Sequence, residues 1–98
     1  MATEKIFQTV ITQLTNRGIY STQQTVSFSA NPGAVLEGYL KSGSGTYIFQ
    51  NGTEDPITMP VVAPQQFRFD LQGGNYTLTM LPNEPSEFNA ILRNIILV

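Results

Sequence analysis

The chain has 98 residues, and five Lys or Arg against seven Asp or Glu give a formal net charge of −2 at pH 7. This length is typical of one domain, and the 41% hydrophobic share is enough for a single core. Without cysteine the chain has no disulfide or thiolate metal site, and without a basic surplus it is not expected to bind nucleic acid. No signal peptide or membrane-spanning run is recognisable.

The first 24 residues predict a strand followed by a short connection, or an N-terminal arm. In residues 3–14 the threonines and the β-branched Ile and Val disfavour a helix. As a strand this segment would have two mixed faces, with Phe7 and Ile11 on one and Val10 and Leu14 on the other. Such a segment also suits an arm that lies between two protein surfaces. A turn at 16–18 and a short edge strand or connection at 19–24 follow.

The middle of the chain reads as short strands separated by turn residues. Residues 25–30 alternate, with Val26, Phe28 and Ala30 facing inward, and residues 34–40 form the next strand. The Gly/Ser-rich segment 41–45 is predicted to be a flexible loop. Strand 46–50 runs into Asn51-Gly52, a strong hairpin signal. The prolines beyond this turn predict a wide loop and then a short edge strand.

Residues 66–81 predict a half-buried antiparallel hairpin with its turn at Gly73-Gly74. Counting outward from that turn places one apolar residue of each strand opposite another on a single face. The other face carries polar side chains. The predicted facing pairs are Leu71 with Tyr76, Phe69 with Leu78, and Phe67 with Met80.

The C-terminal segment is open to two readings. Phe88, Ile91, Leu92, Ile95 and Ile96 have helical spacing, and Ser86 is a candidate cap for such a helix. The β-branched residues and the many other strands favour a strand over 90–98 instead. The string ILRNIILV at 91–98 resembles the last strand of galactose-binding-type jelly rolls. We therefore predict one all-β domain over 1–98, a small antiparallel jelly-roll-like β-sandwich of about eight short strands.

The residue types available argue against an enzyme. There is no histidine, so the commonest general base is missing, and no carboxylate pair is spaced for catalysis across a cleft. We predict no catalytic residue, no cofactor and no metal site. Asn51, Glu54 and Asp55 offer oxygen atoms to calcium, but without the ligand count of a calcium loop they are better explained as a polar hairpin end.

One function that the sequence suggests is sugar binding. Tyr20, Tyr39 and Tyr47 have polar neighbours and are expected to be exposed. Tyrosine rings beside amides are suited to sugars, because the ring face contacts CH groups and the amides bond hydroxyls. A jelly-roll carbohydrate-binding module, extracellular and using Tyr39, Tyr47, Asn51 and Asp55, is the alternative hypothesis.

The leading hypothesis is a non-enzymatic structural protein of a large particle. Only 12% of the residues are charged, about half the usual share, and a surface of amides and hydroxyls repels its own copies weakly. These features suit a phage or virus component, such as a capsid decoration, cement or tail-fibre protein, assembled in the host cytoplasm. Its partners would be itself, as a homo-oligomer, and the larger assembly. The predicted interface residues are Ile6, Phe7, Val10, Ile11, Leu14, Ile95, Ile96, Leu97 and Val98.

Overall fold

The computed structural model describes residues 7–15 and 18–97, with only the main chain of Leu97. Within these residues the chain forms nine strands. Their bounds are β1 Phe7–Gln13, β2 Ile19–Tyr20, β3 Gln24–Ala30, β4 Val35–Ser42, β5 Ser44–Asn51, β6 Ile57–Val62, β7 Gln65–Asp70, β8 Gly74–Pro82 and β9 Ser86–Leu97.

The strands form two antiparallel sheets that pack face to face. One sheet has five strands in the order β1-β9-β4-β7, with β2 also paired to β9. The other has four strands in the order β3-β8-β5-β6. The fold is the predicted single antiparallel sandwich of jelly-roll type, with nine strands where about eight were expected.

The core lies between the sheets and is built by alternation along each strand. In β4 the inward positions are Leu36, Gly38 and Leu40, and in β9 they are Phe88, Ala90 and Leu92. Four rings form a stacked row across the interior. Their centroid separations are 5.0 Å for Phe69–Phe49, 5.2 Å for Phe49–Tyr76 and 5.6 Å for Phe28–Tyr76. This row joins β7 of the five-stranded sheet to three strands of the other.

The predicted hairpin over 66–81 is wrong, although its buried face is right. β7 pairs with β4, whereas β8 pairs with β3 and β5, so the two segments belong to different sheets. Leu71 is held by the turn before β4, since its N–H donates to the Ala34 carbonyl at 2.8 Å and its carbonyl accepts from Gly33 at 3.1 Å. Alternation along the two strands predicts which side chains are buried. It does not predict whether the strands pair, because two glycines can form either a tight turn or a crossing from one sheet to the other.

The predicted flexible loop at 41–45 is also wrong. β4 continues to Ser42 and β5 begins at Ser44, so Gly43 is the single residue between these strands, which belong to different sheets. Its φ of 90° is in the left-handed region, and a Cβ there would overlap the hydroxyl of Ser86. The buried Ser86 Oγ accepts from the Ser44 N–H at 3.1 Å and donates to the Glu84 carbonyl at 2.7 Å. The small residues of segment 41–45 are therefore explained by close packing around Gly43.

Two other predictions about local structure are confirmed. The Asn51-Gly52 hairpin joins β5 to β6, with Phe49 opposite Ile57, and β6 is an edge strand that contains Pro60. The tail is a strand: β9 lies between β1 and β4. The residues with helical spacing therefore lie on both faces of β9. Phe88 and Leu92 face the core, and Ile91 and Ile95 lie on the opposite face.

Candidate interaction surface

A two-stranded extension at one end of the five-stranded sheet is the first candidate surface. β1 pairs with β9 along its whole length, from Phe7 opposite Leu97 to Gln13 opposite Ile91. β4 pairs with β9 only as far as Arg93, which is opposite Val35. Residues 94–97 thus extend beyond β4 with β1 as their strand partner. We call β1 together with residues 94–97 of β9 the β1–β9 ribbon.

The ribbon exposes apolar side chains on both of its faces. Every residue of β1 is exposed. Exposure reaches 63% for Phe7 and 57% for Ile11, which share a face, and 37% for Val10 and 36% for Ile96, which share the other. Exposed apolar residues that cluster in this way mark interaction surfaces more often than isolated ones do. The mixed faces predicted from the sequence are therefore present, and neither is covered within the described chain.

The base of the ribbon is tied firmly to the sandwich. The main-chain N–H of Asn31 donates to Asn94 Oδ1 at 2.9 Å, and the Asn31 amide donates to the Ile95 carbonyl at 2.7 Å. After β1, the Leu14 N–H donates to the Ala90 carbonyl at 2.9 Å, and the buried Thr15 hydroxyl accepts from the Ala90 N–H at 3.1 Å. The ribbon is thus a fixed projection of the sheet.

The predicted interface residues divide into three groups. Phe7, Val10, Ile11 and Ile96 are exposed on the ribbon, and Ile95 is half-buried beside them. Leu14 packs against the core, so the sandwich itself explains why it is apolar. Ile6 and Val98, together with the side chain of Leu97, lie outside the described residues.

β1 is also an edge strand without the usual protection against pairing. Its sequence FQTVITQ has no charge and no proline. The other edge of the same sheet, β7, carries Arg68 and Asp70, which are 3.7 Å apart, and the β6 edge contains Pro60. Charge and proline are the common devices that stop a sheet edge from adding a foreign strand. The chain therefore uses these devices on β6 and β7 and lacks them on β1.

The second candidate surface is a groove on the outer face of the five-stranded sheet. Two adjoining hollows of about 390 and 310 Å³ meet at Tyr39 and Asn89. Gln66, Arg68 and Ile91 line the larger hollow. The charges around the groove are matched, since Arg93 Nε is 3.0 Å from Glu37 Oε1 and Lys41 Nζ is 3.5 Å from Glu87 Oε2. A tyrosine, two amides and balanced charges suit a neutral polar ligand.

The four residues predicted to bind sugar are not brought together. Tyr39 lines the groove, but Tyr47 is fully buried between the rings of Phe67 and Phe88, at 4.7 and 5.3 Å. The expectation that Tyr47 is exposed is wrong, because its position on β5 alternates into the core. Burial raises the pKa of its hydroxyl, which donates to the Tyr39 carbonyl at 3.5 Å.

The other two residues lie elsewhere. Asn51 ends β5 in the four-stranded sheet, and Asp55 is exposed in the loop that follows. Sequence reasoning missed Gln66 and Asn89 as neighbours of Tyr39. Their alternation along β7 and β9 is visible in the sequence, but the strand order that places both beside β4 is not.

The carboxylates form no recognisable centre. Among residues 7–15 and 18–97, no group of three or more His, Cys, Asp or Glu is arranged to hold a metal ion. At the hairpin end that contains Asn51, Glu54 and Asp55, the Asn51 carbonyl accepts from the Glu54 N–H at 2.9 Å, which is the geometry of a turn. The described chain contains no helix with the length and apolar character required to span a membrane.

Comparison with known proteins gives no family for this chain and similarity to solved structures at low identity. No protein-family model matches the chain, and no curated protein matches it. Among solved structures it is similar to the CENP-C cupin domain of Drosophila melanogaster, with a TM-score of 0.47, 13% identity, and coverage of 97% of this chain and 76% of that one. It is also similar to the capsular polysaccharide assembling protein CapF of Staphylococcus aureus, with a TM-score of 0.43 and 15% identity, covering 94% of this chain and 29% of that one.

Proposed function

We propose that this protein is a non-enzymatic structural protein that acts through protein–protein contacts at the β1–β9 ribbon. The observation that carries the proposal is the pairing of two features on one strand: exposed apolar side chains on both faces, and an unprotected main-chain edge. Either feature alone is common on protein surfaces. Together they offer a partner both a hydrophobic contact and a ladder of hydrogen bonds.

Burial of the exposed side chains of the ribbon would contribute favourable free energy to association. Fully burying one Val, Ile or Phe side chain is worth about 1.5–3 kcal/mol relative to leaving it exposed. The ribbon holds four such side chains, and because they are only 36–63% exposed, each can gain only part of that energy: Phe7, Val10, Ile11 and Ile96. Their joint burial offsets part of the loss of translational and rotational freedom on binding, which is about 4–15 kcal/mol. The remaining stabilisation would come from the main-chain ladder and from neighbouring contacts.

A large particle of phage or viral type is the assembly that we propose for this protein. The support is compositional: a low share of charged residues and a surface of amides and hydroxyls permit close packing of many copies. The test is co-sedimentation of the native protein with particles from its source. Recovery in a fixed ratio to the particle supports the proposal, and recovery only in the soluble fraction overturns the virion part of it.

The contact surface itself is tested with two isoleucines that differ only in location. Ile11 on β1 is 57% exposed and Ile57 on the β6 edge is 50% exposed, so each Ile→Ser change removes a similar side chain from an edge strand. We expect Ile11→Ser to lower the mass measured by light scattering, and Ile57→Ser to leave it unchanged. Circular dichroism should show both variants folded. Equal effects on mass would remove the ribbon as the contact surface.

Binding of a neutral glycan is the second candidate function, and the groove beside Tyr39 is the observation that favours it. A half-buried tyrosine with the amides of Gln66 and Asn89 offers ring and hydrogen-bond contacts to a sugar. A glycan array followed by titration of Tyr39→Ala and Asn89→Ala tests it, with Asn51→Ala on the other sheet as control. Saturable binding that both groove variants lose and the control keeps supports this function. Binding to no glycan overturns it.

A further inference from the structure

We propose that a second copy of this chain occupies the free edge of β1. The two β1 strands would pair antiparallel about a two-fold axis at Val10, which joins two five-stranded sheets into one continuous sheet. This inference rests on the proposed function, because it identifies the partner of the same ribbon. It adds the identity of that partner and the register of the contact.

The first step is that, among residues 7–15 and 18–97, β1 combines an outer edge that no other strand pairs with and exposed apolar side chains. The β3 edge of the four-stranded sheet is also uncharged, but its apolar residues Val26 and Phe28 pack against the core. Pairing at β3 would therefore bury little apolar surface. On β1, Phe7, Val10 and Ile11 all gain burial when a strand is added. The other two edges carry Pro60 or the charges of β7.

The second step is that a copy of β1 is chemically complementary to β1. All seven residues are uncharged, so the two strands bring no like charges together. A two-fold axis perpendicular to the sheet makes the contact isologous and closed, the commonest arrangement in soluble oligomers. It also keeps corresponding faces of the two sheets on the same side of the joined sheet.

The third step is the register. With Val10 opposite Val10 of the second copy, all seven residues of each β1 are paired, and any other two-fold register leaves some unpaired. Gln8 then lies opposite the second copy's Thr12, which allows a side-chain hydrogen bond. On the other face Phe7 lies diagonal to the second copy's Ile11, at about 7–8 Å between backbones, a distance that an aromatic ring spans.

A charge swap at the axis tests the inference in the full-length protein. Val10→Lys and Val10→Glu each place like charges opposite each other in a homodimer, so we expect each variant alone to self-associate about tenfold more weakly or worse. An equimolar mixture places Lys opposite Glu, and we expect it to recover dimers of mixed composition. Analytical ultracentrifugation measures both. Val62→Lys and Val62→Glu change an exposed valine on β6 and serve as matched controls with no expected effect.

Each outcome of the charge-swap experiment either supports or overturns the pairing of two β1 strands. Weak single variants with a rescued mixture support the self-paired β1. Weak single variants without rescue overturn the pairing of β1 with β1 and show that the ribbon contacts another part of the second copy, so the proposed function survives. Unchanged single variants overturn the register at Val10. A wild-type chain that is monomeric at about 1 mM overturns self-association altogether, since dimers weaker than that carry less than about 4 kcal/mol.

Discussion

Phe88 in the sandwich and Phe7 in the β1–β9 ribbon have the same side chain in different surroundings. Phe88 is fully buried and its ring contacts Tyr20 and Tyr47, whereas Phe7 is 63% exposed on the ribbon. The sandwich core therefore covers Phe88, although edge residues of the sandwich such as Val62 are exposed as well, and no part of residues 7–15 and 18–97 covers Phe7. The number of apolar residues in a strand does not by itself distinguish a strand of the core from a strand of the ribbon. What separates them is whether a second sheet lies across from the residue.

The largest expected effect comes from truncating these two phenylalanines. Phe88→Ala should lower the free energy of unfolding by about 3–5 kcal/mol, because it removes a buried ring and leaves a cavity. Phe7→Ala should stay within about 0.5 kcal/mol, as exposed substitutions do, and should weaken association instead. Urea unfolding of both variants at one protein concentration measures the difference. Similar losses for the two would remove the distinction between core and ribbon.

A smaller effect is expected where the two sheets are joined. Gly43 and Gly52 both have left-handed φ values, 90° and 57°, but a Cβ at Gly43 overlaps Ser86 whereas at Gly52 it meets no atom within 4 Å. Gly43→Ala should therefore be about 1–3 kcal/mol more destabilising than Gly52→Ala, the usual cost of overpacking. The φ of 90° at Gly43 is also less accessible to alanine than the 57° at Gly52, so the difference in urea unfolding measures the overlap and the added backbone strain together. Equal losses would mean that the junction adapts to the added methyl.

The last expected effect depends on pH and again distinguishes a core residue from a surface residue. Burial raises the pKa of Tyr47 above its ordinary value near 10. Its contribution to stability is therefore complete below pH 10 and declines above it, because the unfolded chain loses the phenolic proton first. The loss approaches about 1.4 kcal/mol per pH unit while only the unfolded state is ionised.

The matching variant is Tyr47→Phe, which keeps the ring and removes the ionisable group. Its free energy of unfolding should fall less steeply than that of the wild type between about pH 10 and pH 12. Urea titrations at several pH values in that interval measure both slopes. Parallel curves for the two proteins would show that Tyr47 ionises as easily when folded as when unfolded, and would contradict its position in the core.

The sequence was sufficient for the fold class and for most buried faces, because alternation with period two survives any choice of strand partner. Val26, Phe28 and Ala30 face inward as predicted, and so do the six apolar residues of 66–81. Which strands pair with each other was harder to predict from the sequence. β7 and β8 are adjacent in sequence yet lie in different sheets, and only long-range contacts decide that. The flexible loop predicted at 41–45 was wrong for a related reason. Gly and Ser occur both in flexible loops and where chain segments pack closely, so the residue types alone did not indicate the single-residue junction at Gly43.

The candidate surfaces were predicted unevenly. The ribbon was recognisable in part, because Phe7, Val10 and Ile11 give β1 two mixed faces, each with apolar residues, which is unusual for a strand with one buried side. The groove was found only in part, since Tyr39, Gln66 and Asn89 come from three strands far apart in sequence. Tyr47 was misplaced because polar neighbours in sequence indicate exposure poorly within a strand, where adjacent residues point to opposite faces.

The central claim is that the ribbon serves association and the sandwich serves stability, and removal of residues 1–13 tests it most directly. Leu14 and Thr15 remain in this truncated protein, so the contacts that they make with Ala90 and the core are kept. Circular dichroism should show an intact β-fold, and light scattering should show a lower mass than that of the full chain under the same conditions. A folded truncated protein that associates as the full chain does would contradict the claim, and an unfolded one would make β1 an ordinary part of the core.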